Sequence, residues 1–287
     1  MERRKRFDDV VNPRSRFMCL GGRWLRALHA AAALRADRQC WFYDLRSAPI
    51  DYRAAHAWQL QLRRERAGAA RQATAWTPAL SDVFILLTHR PVYTLGTRAT
   101  EAHLKFDTAQ PPCQWVRTER GGHVTYHGPG QLVGYPILDL RRHRCDLRWY
   151  VRTLEEVLLQ TLAHFGVRAS RMPAHSGVWV DDAYKVAAIG VSATRWITCH
   201  GFALNVERQS VPPFARVVPC GLDSLRIGCL HDFVPRPEDA PLDAVRQVLA
   251  ERFADVFQLQ LVPYHQQPTS EGGREEAGVR TASRTAV

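Results

Sequence analysis

Lysine is almost missing from this chain of 287 residues. Only Lys5, Lys105 and Lys185 occur, against 36 arginines. A guanidinium stays charged in almost any surroundings, whereas an ammonium can release its proton where its environment demands it, so each surviving lysine is worth locating. Lys5 lies in a charged tail and Lys105 in a polar stretch, both of which suggest solvation. Lys185 interrupts the apolar run YKVAAIGV. Long apolar runs are missing too: no stretch of about 18 such residues occurs, which argues against a membrane-spanning helix. The N-terminus lacks the charged start, apolar centre and small-residue cleavage site of a secretory signal. Seven cysteines (19, 40, 113, 145, 199, 220 and 229) form no CxxC pair, and their odd number suits reduced thiols in a cytoplasmic protein. Neither His143 with Cys145 nor Cys199 with His200 has a partner set at structural-zinc spacing, so no metal is expected.

The formal charge of +11 raises the question of nucleic acid. Residues 1–38 carry ten basic and four acidic side chains, a net of +6, and residues 266–287 carry three of each. The body between them holds the remaining +5, without zinc-finger spacing, an aromatic RNA-binding run or an array of basic helices. A basic surface of this size also suits an acidic protein partner. The expectation is therefore no nucleic acid and no membrane. Three segments follow: a basic extension over 1–38, a catalytic domain over 39–265, and a polar Gly/Ser/Thr-rich tail over 266–287 that reads as disordered.

Within the body, the spacing of Ala54, Trp58 and Leu62 predicts a helix over 51–71. DVFILLTH (82–89), QWVRTE (114–119) and LVGYPILDL (132–140) read as strands. WYVRTLEEVLLQTLAHFGV (149–167) is an amphipathic helix with Tyr150, Leu154, Val157, Leu158, Thr161, Leu162 and Phe165 inward and Gly166 at its stop. GVWV (177–180), YKVAAIGVSA (184–193) and GFALNV (201–206) follow as consecutive strands, then a helix over 242–258 and the strand LQLV. Runs of strands broken by single helices predict a mixed α/β (α+β) fold, not a doubly wound one.

Three segments carry chemistry. Residues 120–131, RGGHVTYHGPGQ, place four glycines and a proline among Arg, Thr, Tyr, Gln and two His. Glycine lets main-chain N–H groups approach a ligand closely, and the GK[ST] ending of a phosphate P-loop is missing. Lys185 is the second. The third is VVPCGL, where Cys220 stands between Pro219 and Gly221 on a loop, in contrast to most free cysteines, which are buried and inert. Lowering a thiol pKa from about 8.5 to about 7 requires roughly 2 kcal/mol. An ammonium about 4 Å away at an effective dielectric near 20 offers about 4 kcal/mol before desolvation losses. A lysine can therefore activate a cysteine and can also carry its proton.

These blocks, with HRPVYTLG (89–96), KVAAIG (185–190), HGFALNV (200–206) and VPCGL (218–222), resemble in order and spacing the lipoyl(octanoyl) transferases of lipoate biosynthesis. The likeness runs from about Cys40 to His265. It implies a biotin/lipoate protein ligase-like fold and a two-step thioester mechanism with no cofactor. In that reading Cys220 forms the acyl thioester, and Lys185 lowers its pKa and serves as acid and base. The loop Arg120, Gly121, Gly122, His123, Val124, Thr125, Tyr126 and His127, together with Ala188, Ile189, Gly190, Gly201, Phe202 and Ala203, would line the substrate site, and His89 and His200 would shape it. The implied partners are an acyl carrier protein as octanoyl donor, with lipoyl domains of 2-oxoacid dehydrogenases and the glycine cleavage H protein as acceptors. Three alternatives stay open: an ATP-dependent lipoate-protein ligase, a cysteine hydrolase using Cys220 with a histidine, and a basic nucleic-acid-binding protein.

Overall fold

The computed structural model describes residues 38–72, 81–173, 175–218 and 226–264. The basic extension up to Asp37, the tail from residue 265, and Cys220 with its neighbours from Pro219 to Leu225 lie outside the described residues. In chain order the elements are β1 (Gln39–Asp44), α1 (Tyr52–Gln72), β2 (Asp82–Leu87), β3 (Val92–Leu95), β4 (Gln114–Arg117), β5 (Val124–His127) and β6 (Gln131–Ile137). Then come α2 (Leu147–His164), β7 (Ser170–Met172), β8 (His175–Val180), β9 (Tyr184–Thr194), β10 (Ile197–Asn205), β11 (Arg226–Ile227), α3 (Leu242–Phe257) and β12 (Gln260–Pro263).

The apolar runs pair into one large sheet ordered β12-β1-β2-β6-β10-β9-β8-β7, with β11 on β9. Its β12-β1-β2 end is parallel and its centre antiparallel, the mixed α/β architecture that the strand and helix order predicts. A smaller sheet, β4-β3-β5, stands beside it. Helices α2 and α3 cover one face of the large sheet. Phe253 of α3 stacks on Phe84 of β2 with ring centroids 4.0 Å apart, and Leu154, Val157, Leu158 and Leu162 of α2 join them in the main core. Helix α1 covers the opposite face over Val83, Ile85, Leu87, Val133 and Tyr135.

Helix α2 starts two residues before the predicted boundary, because Asp146 caps it by accepting from the N–H groups of Arg148 and Trp149. Its inner face is the predicted one but for two residues. Phe165 falls past the last turn and is half-buried, whereas Glu155, absent from the predicted inner face, is buried. That carboxylate accepts the Gly177 N–H and pairs with Arg152 and Arg171, so its charge is compensated inside the fold. Residues 124–127, expected as part of a loop, form β5 and pair antiparallel with β3.

Close packing at the sheet centre turns on Gly134. A Cβ there would sit 2.3 Å from Cζ of Phe202, the residue directly opposite on β10. Gly134→Ala should therefore cost about 1–3 kcal/mol by overpacking. In a double-mutant cycle with Phe202→Leu, read by denaturant midpoints, the coupling should exceed about 0.5 kcal/mol in the sense that the second change relieves the first. Simple additivity would show that the ring contact is not the cause.

Candidate active site

Strands β9 and β10 set the floor of the site. Their register pairs Ala188 with Ala203 and Gly190 with Gly201, leaving Ile189 opposite Phe202 between them. All six residues line a cavity of about 210 Å³, and Ile189 and Phe202 also belong to the main core. Small residues at alternate positions of a pleated strand stand on one face, so the sequence itself hollows out this slot. Gly190 has a second role: a Cβ there would meet Gly121 O at 2.9 Å and Cδ of Arg120 at 3.0 Å. Its absence lets the glycine-rich loop lie against β9, where the Gly121 N–H bonds Val191 O at 2.9 Å.

Lys185 stands at the start of β9, opposite Trp179 of β8 on one side and Ile227 of β11 on the other. It is only 5% exposed and lines the cavity. Its ammonium lies 5.4 Å from the centre of the Trp179 ring, within cation–π range. Gly177, at φ +116°, makes the room: a Cβ at that position would sit 2.7 Å from Cε of Lys185 and 2.4 Å from Ala187 O. The buried Glu155 carboxylate holds the Gly177 N–H at 3.1 Å, so a helix outside the cavity fixes the backbone against which the lysine lies.

The opposite wall comes from the small sheet and its loop. The Arg120 guanidinium reaches the cavity, yet it also donates to Thr94 O at 2.7 Å, to Thr94 Oγ1 and to Gly121 O. The loop is thereby clamped to β3. His127 donates from Nδ1 to Gln131 Oε1 at 2.8 Å, because the amide oxygen can only accept. Gln131 passes its own N–H groups to Tyr126 O and Asn205 Oδ1, and Asn205 donates to Gly228 O. This chain of bonds ends one residue past β11, where the Gly228 N–H bonds Lys185 O at 3.1 Å. Behind it, His89 donates from Nδ1 to Ile50 O at 2.9 Å and accepts from the Tyr135 hydroxyl at 2.6 Å.

Among the expected site residues, Lys185, Arg120, Gly122, His123, Val124, Thr125, His127, Ala188, Ile189, Gly190, His200, Gly201, Phe202 and Ala203 surround this one cavity. Gly121 does not line it; its backbone secures the loop to β9. Tyr126 does not line it either. Its ring packs instead against Tyr93 and, edge-on, against Phe214. His89 stands one layer back, holding Tyr135. The structure adds Tyr52, Arg98, Gln131, Tyr135, Ser176 and Asn205 to the lining. Gln131 and Asn205 were visible as polar residues in apolar strand runs, and buried polar groups need partners; Tyr52 and Tyr135 gave no such signal. The described cysteines contribute nothing to the cavity wall. Burial pushes the thiols of Cys199 and Cys229 up to about 12 and raises those of Cys40 and Cys113.

Residues 51–254 match the family described as the lipoyl protein ligase A/B catalytic domain. An octanoyltransferase of Synechococcus elongatus is 48% identical over 214 residues, covering 75% of this chain and 86% of its own. A chloroplastic octanoyltransferase of Arabidopsis thaliana is 41% identical over 232 residues, with 78% and 81% covered. Among solved structures, the bipartite lipoate protein ligase of Thermoplasma acidophilum superposes with a TM-score of 0.56 at 14% identity, over 79% of this chain and 86% of that one. A lipoate-protein ligase A bound with ATP superposes at 0.57 with 14% identity, over 79% and 88%. At those identities the structural likeness shows a shared fold.

The two buried histidines make stability depend on pH. Burial holds His89 down at about 4 and His127 well below the usual imidazole range, with the neighbouring His89 a secondary cause for the latter. Both are neutral in the fold, whereas unfolded histidine titrates near 6.5. As pH falls from 6.5 towards 4 the unfolded chain takes up protons that the folded one refuses, so stability drops across that window. For His89 the loss should reach about 3 kcal/mol. Urea midpoints of wild type and His89→Gln between about pH 7.5 and 4 should show a shallower acid limb in the variant. Parallel curves would contradict this origin.

Proposed function

The chain belongs to the lipoyl protein ligase A/B catalytic domain family, and on that premise we propose that it carries an octanoyl group from an acyl carrier protein thioester to a protein lysine, through a thioester on Cys220. It is an acyltransferase by its relatives, which are octanoyltransferases at 41–49% identity. The observation that carries the reading is the buried Lys185, set into the wall of a small-residue slot on the strand that pairs with β11. Cys220 stands six residues before Arg226 of that same β11 and two after Val218, whose N–H bonds His103 O. The buried, raised thiols elsewhere make poor nucleophiles, because the thiolate is the reacting form.

In the first half-reaction the Cys220 thiolate attacks the carrier thioester carbonyl. The tetrahedral adduct collapses, the carrier sulfur leaves with a proton from Lys185, and one thioester replaces another at little energetic cost. In the second, the neutral amine of the acceptor lysine attacks the enzyme thioester. Lys185 takes the proton lost from that nitrogen, an amide forms, and the Cys220 sulfur leaves. Thioester to amide runs downhill, so neither step calls for ATP. The slot formed by Ala188, Gly190, Gly201 and Ala203 suits a slender acyl chain: at about 0.8 kcal/mol per buried methylene, an octanoyl tail gains roughly 5–6 kcal/mol. The donor is an acyl carrier protein, and the acceptors are lipoyl domains and the glycine cleavage H protein. Among the described residues no helix is long and apolar enough to cross a membrane, and a cytoplasmic setting fits this chemistry.

The test is intact mass after mixing with octanoyl-acyl carrier protein. Wild type should gain one octanoyl group, Cys220→Ala none, and Lys185→Ala should gain it slowly. Adding a lipoyl domain should move the group onto the domain without ATP. A normal adduct on Cys220→Ala, or modification only with ATP and free lipoate, would overturn the assignment.

A further inference from the structure

A second constellation lies at the α1 side of the cavity, shares His200 with its wall and has no role in the acyl-transfer steps above. His56 from α1, Glu119 from the β4–β5 connection and His200 from β10 come together from three separate elements. Their ligand-type atoms all lie within 4.8 Å of one another. His56 Nε2 is 3.1 and 3.3 Å from the two Glu119 oxygens, and His200 Nε2 is 3.3 Å from Glu119 Oε1. We propose that His56, Glu119 and His200 form a binding site for a zinc-class divalent cation.

Four features favour a cation over a chain of side-chain hydrogen bonds. First, donors about 2.0–2.1 Å from a tetrahedral ion stand about 3.3–3.4 Å from each other, and the carboxylate–imidazole separations fall at that edge length. Second, His200 Nε2 is buried and makes no hydrogen bond of acceptable angle, although Glu119 is within 3.3 Å. A buried polar atom left without a partner calls for one that the side chains do not supply, and a bound ion would be such a partner. Third, His200 is held at φ +61°, a backbone conformation that costs a residue with a side chain and tends to persist at functional sites. The buried Gln59 oxygen fixes it by accepting the His200 N–H at 2.9 Å. Fourth, two imidazoles and one carboxylate are the donor set of zinc and related borderline ions, with a fourth position left for water. The adjacent residue pairs His143–Cys145 and Cys199–His200 gave no such set; the ligands are 63 and 81 residues apart and meet only through the fold.

The experiment uses the full chain freed of metal by a chelator and then titrated with Co²⁺ as a spectroscopic stand-in, and with Zn²⁺ in competition against a chromophoric chelator. One equivalent should bind and give the visible bands of four- or five-coordinate cobalt, without the near-ultraviolet thiolate band that a cysteine site would produce. His56→Ala and Glu119→Gln change a partly buried and an exposed side chain. With unchanged far-ultraviolet dichroism, each should weaken binding by about 100-fold or more. Absence of saturable binding, a thiolate band, or unchanged affinity in both variants would each overturn the proposal.

Discussion

An ammonium group kept almost wholly out of water is the constraint around which this molecule is arranged. Lys185 cannot be buried by apolar packing alone, because desolvating a charge without compensation is expensive. The fold surrounds it with the face of Trp179, the bare backbone of Gly177 and the ends of two flanking strands. Gly177 in turn needs the Glu155 carboxylate on its N–H, and Glu155 needs Arg152 and Arg171. A carboxylate outside the cavity thus fixes, through one peptide group, the backbone against which the ammonium lies. Arginine could not replace Lys185 here: its planar fork is larger and does not give up a proton.

The remainder of the site follows from small residues and from polar chains anchored at both ends. Gly190 and Gly96 admit the loop and the Arg120 guanidinium; a Cβ at Gly96 would meet Gly122 O at 2.4 Å and an Arg120 nitrogen at 2.7 Å. Arg120, expected to face substrate, reaches the cavity while also clamping its loop to β3. The bonds from His127 through Gln131 and Asn205 to Gly228 tie the small sheet to the segment beside the lysine. A buried network of this kind fixes geometry only because its described members are each partnered.

Much of this was legible in the sequence, and the rest was hidden for definite reasons. Strand and helix positions follow from apolar spacing, so α1, α2, α3 and the central strands sit within a few residues of their predicted places. The scarcity of lysine singled out Lys185, and the family blocks gathered fourteen of the expected residues around one cavity. Glu155 was not singled out because a carboxylate in an amphipathic helix ordinarily faces water, and part of its compensation, from Gly177 and Arg171, comes from beyond the helix. Tyr126 was assigned to the site with its neighbours, but its ring is taken up by the apolar cluster of Tyr93 and Phe214. His56 and Glu119 carried no local signal at all; only the crossing of three elements gives them a common point.

The central claim is that the Lys185 ammonium activates the Cys220 thiol, and the rate of that thiol's own reaction reads it without substrate. Alkylation of residue 220 by iodoacetamide, followed by peptide mass across about pH 5 to 10, should reach half its maximal rate near pH 7 in wild type. That is well below the value of about 8.5 for a free thiol. In Lys185→Met the midpoint should rise to about 8.5 or higher. The same midpoint in both proteins would contradict the account.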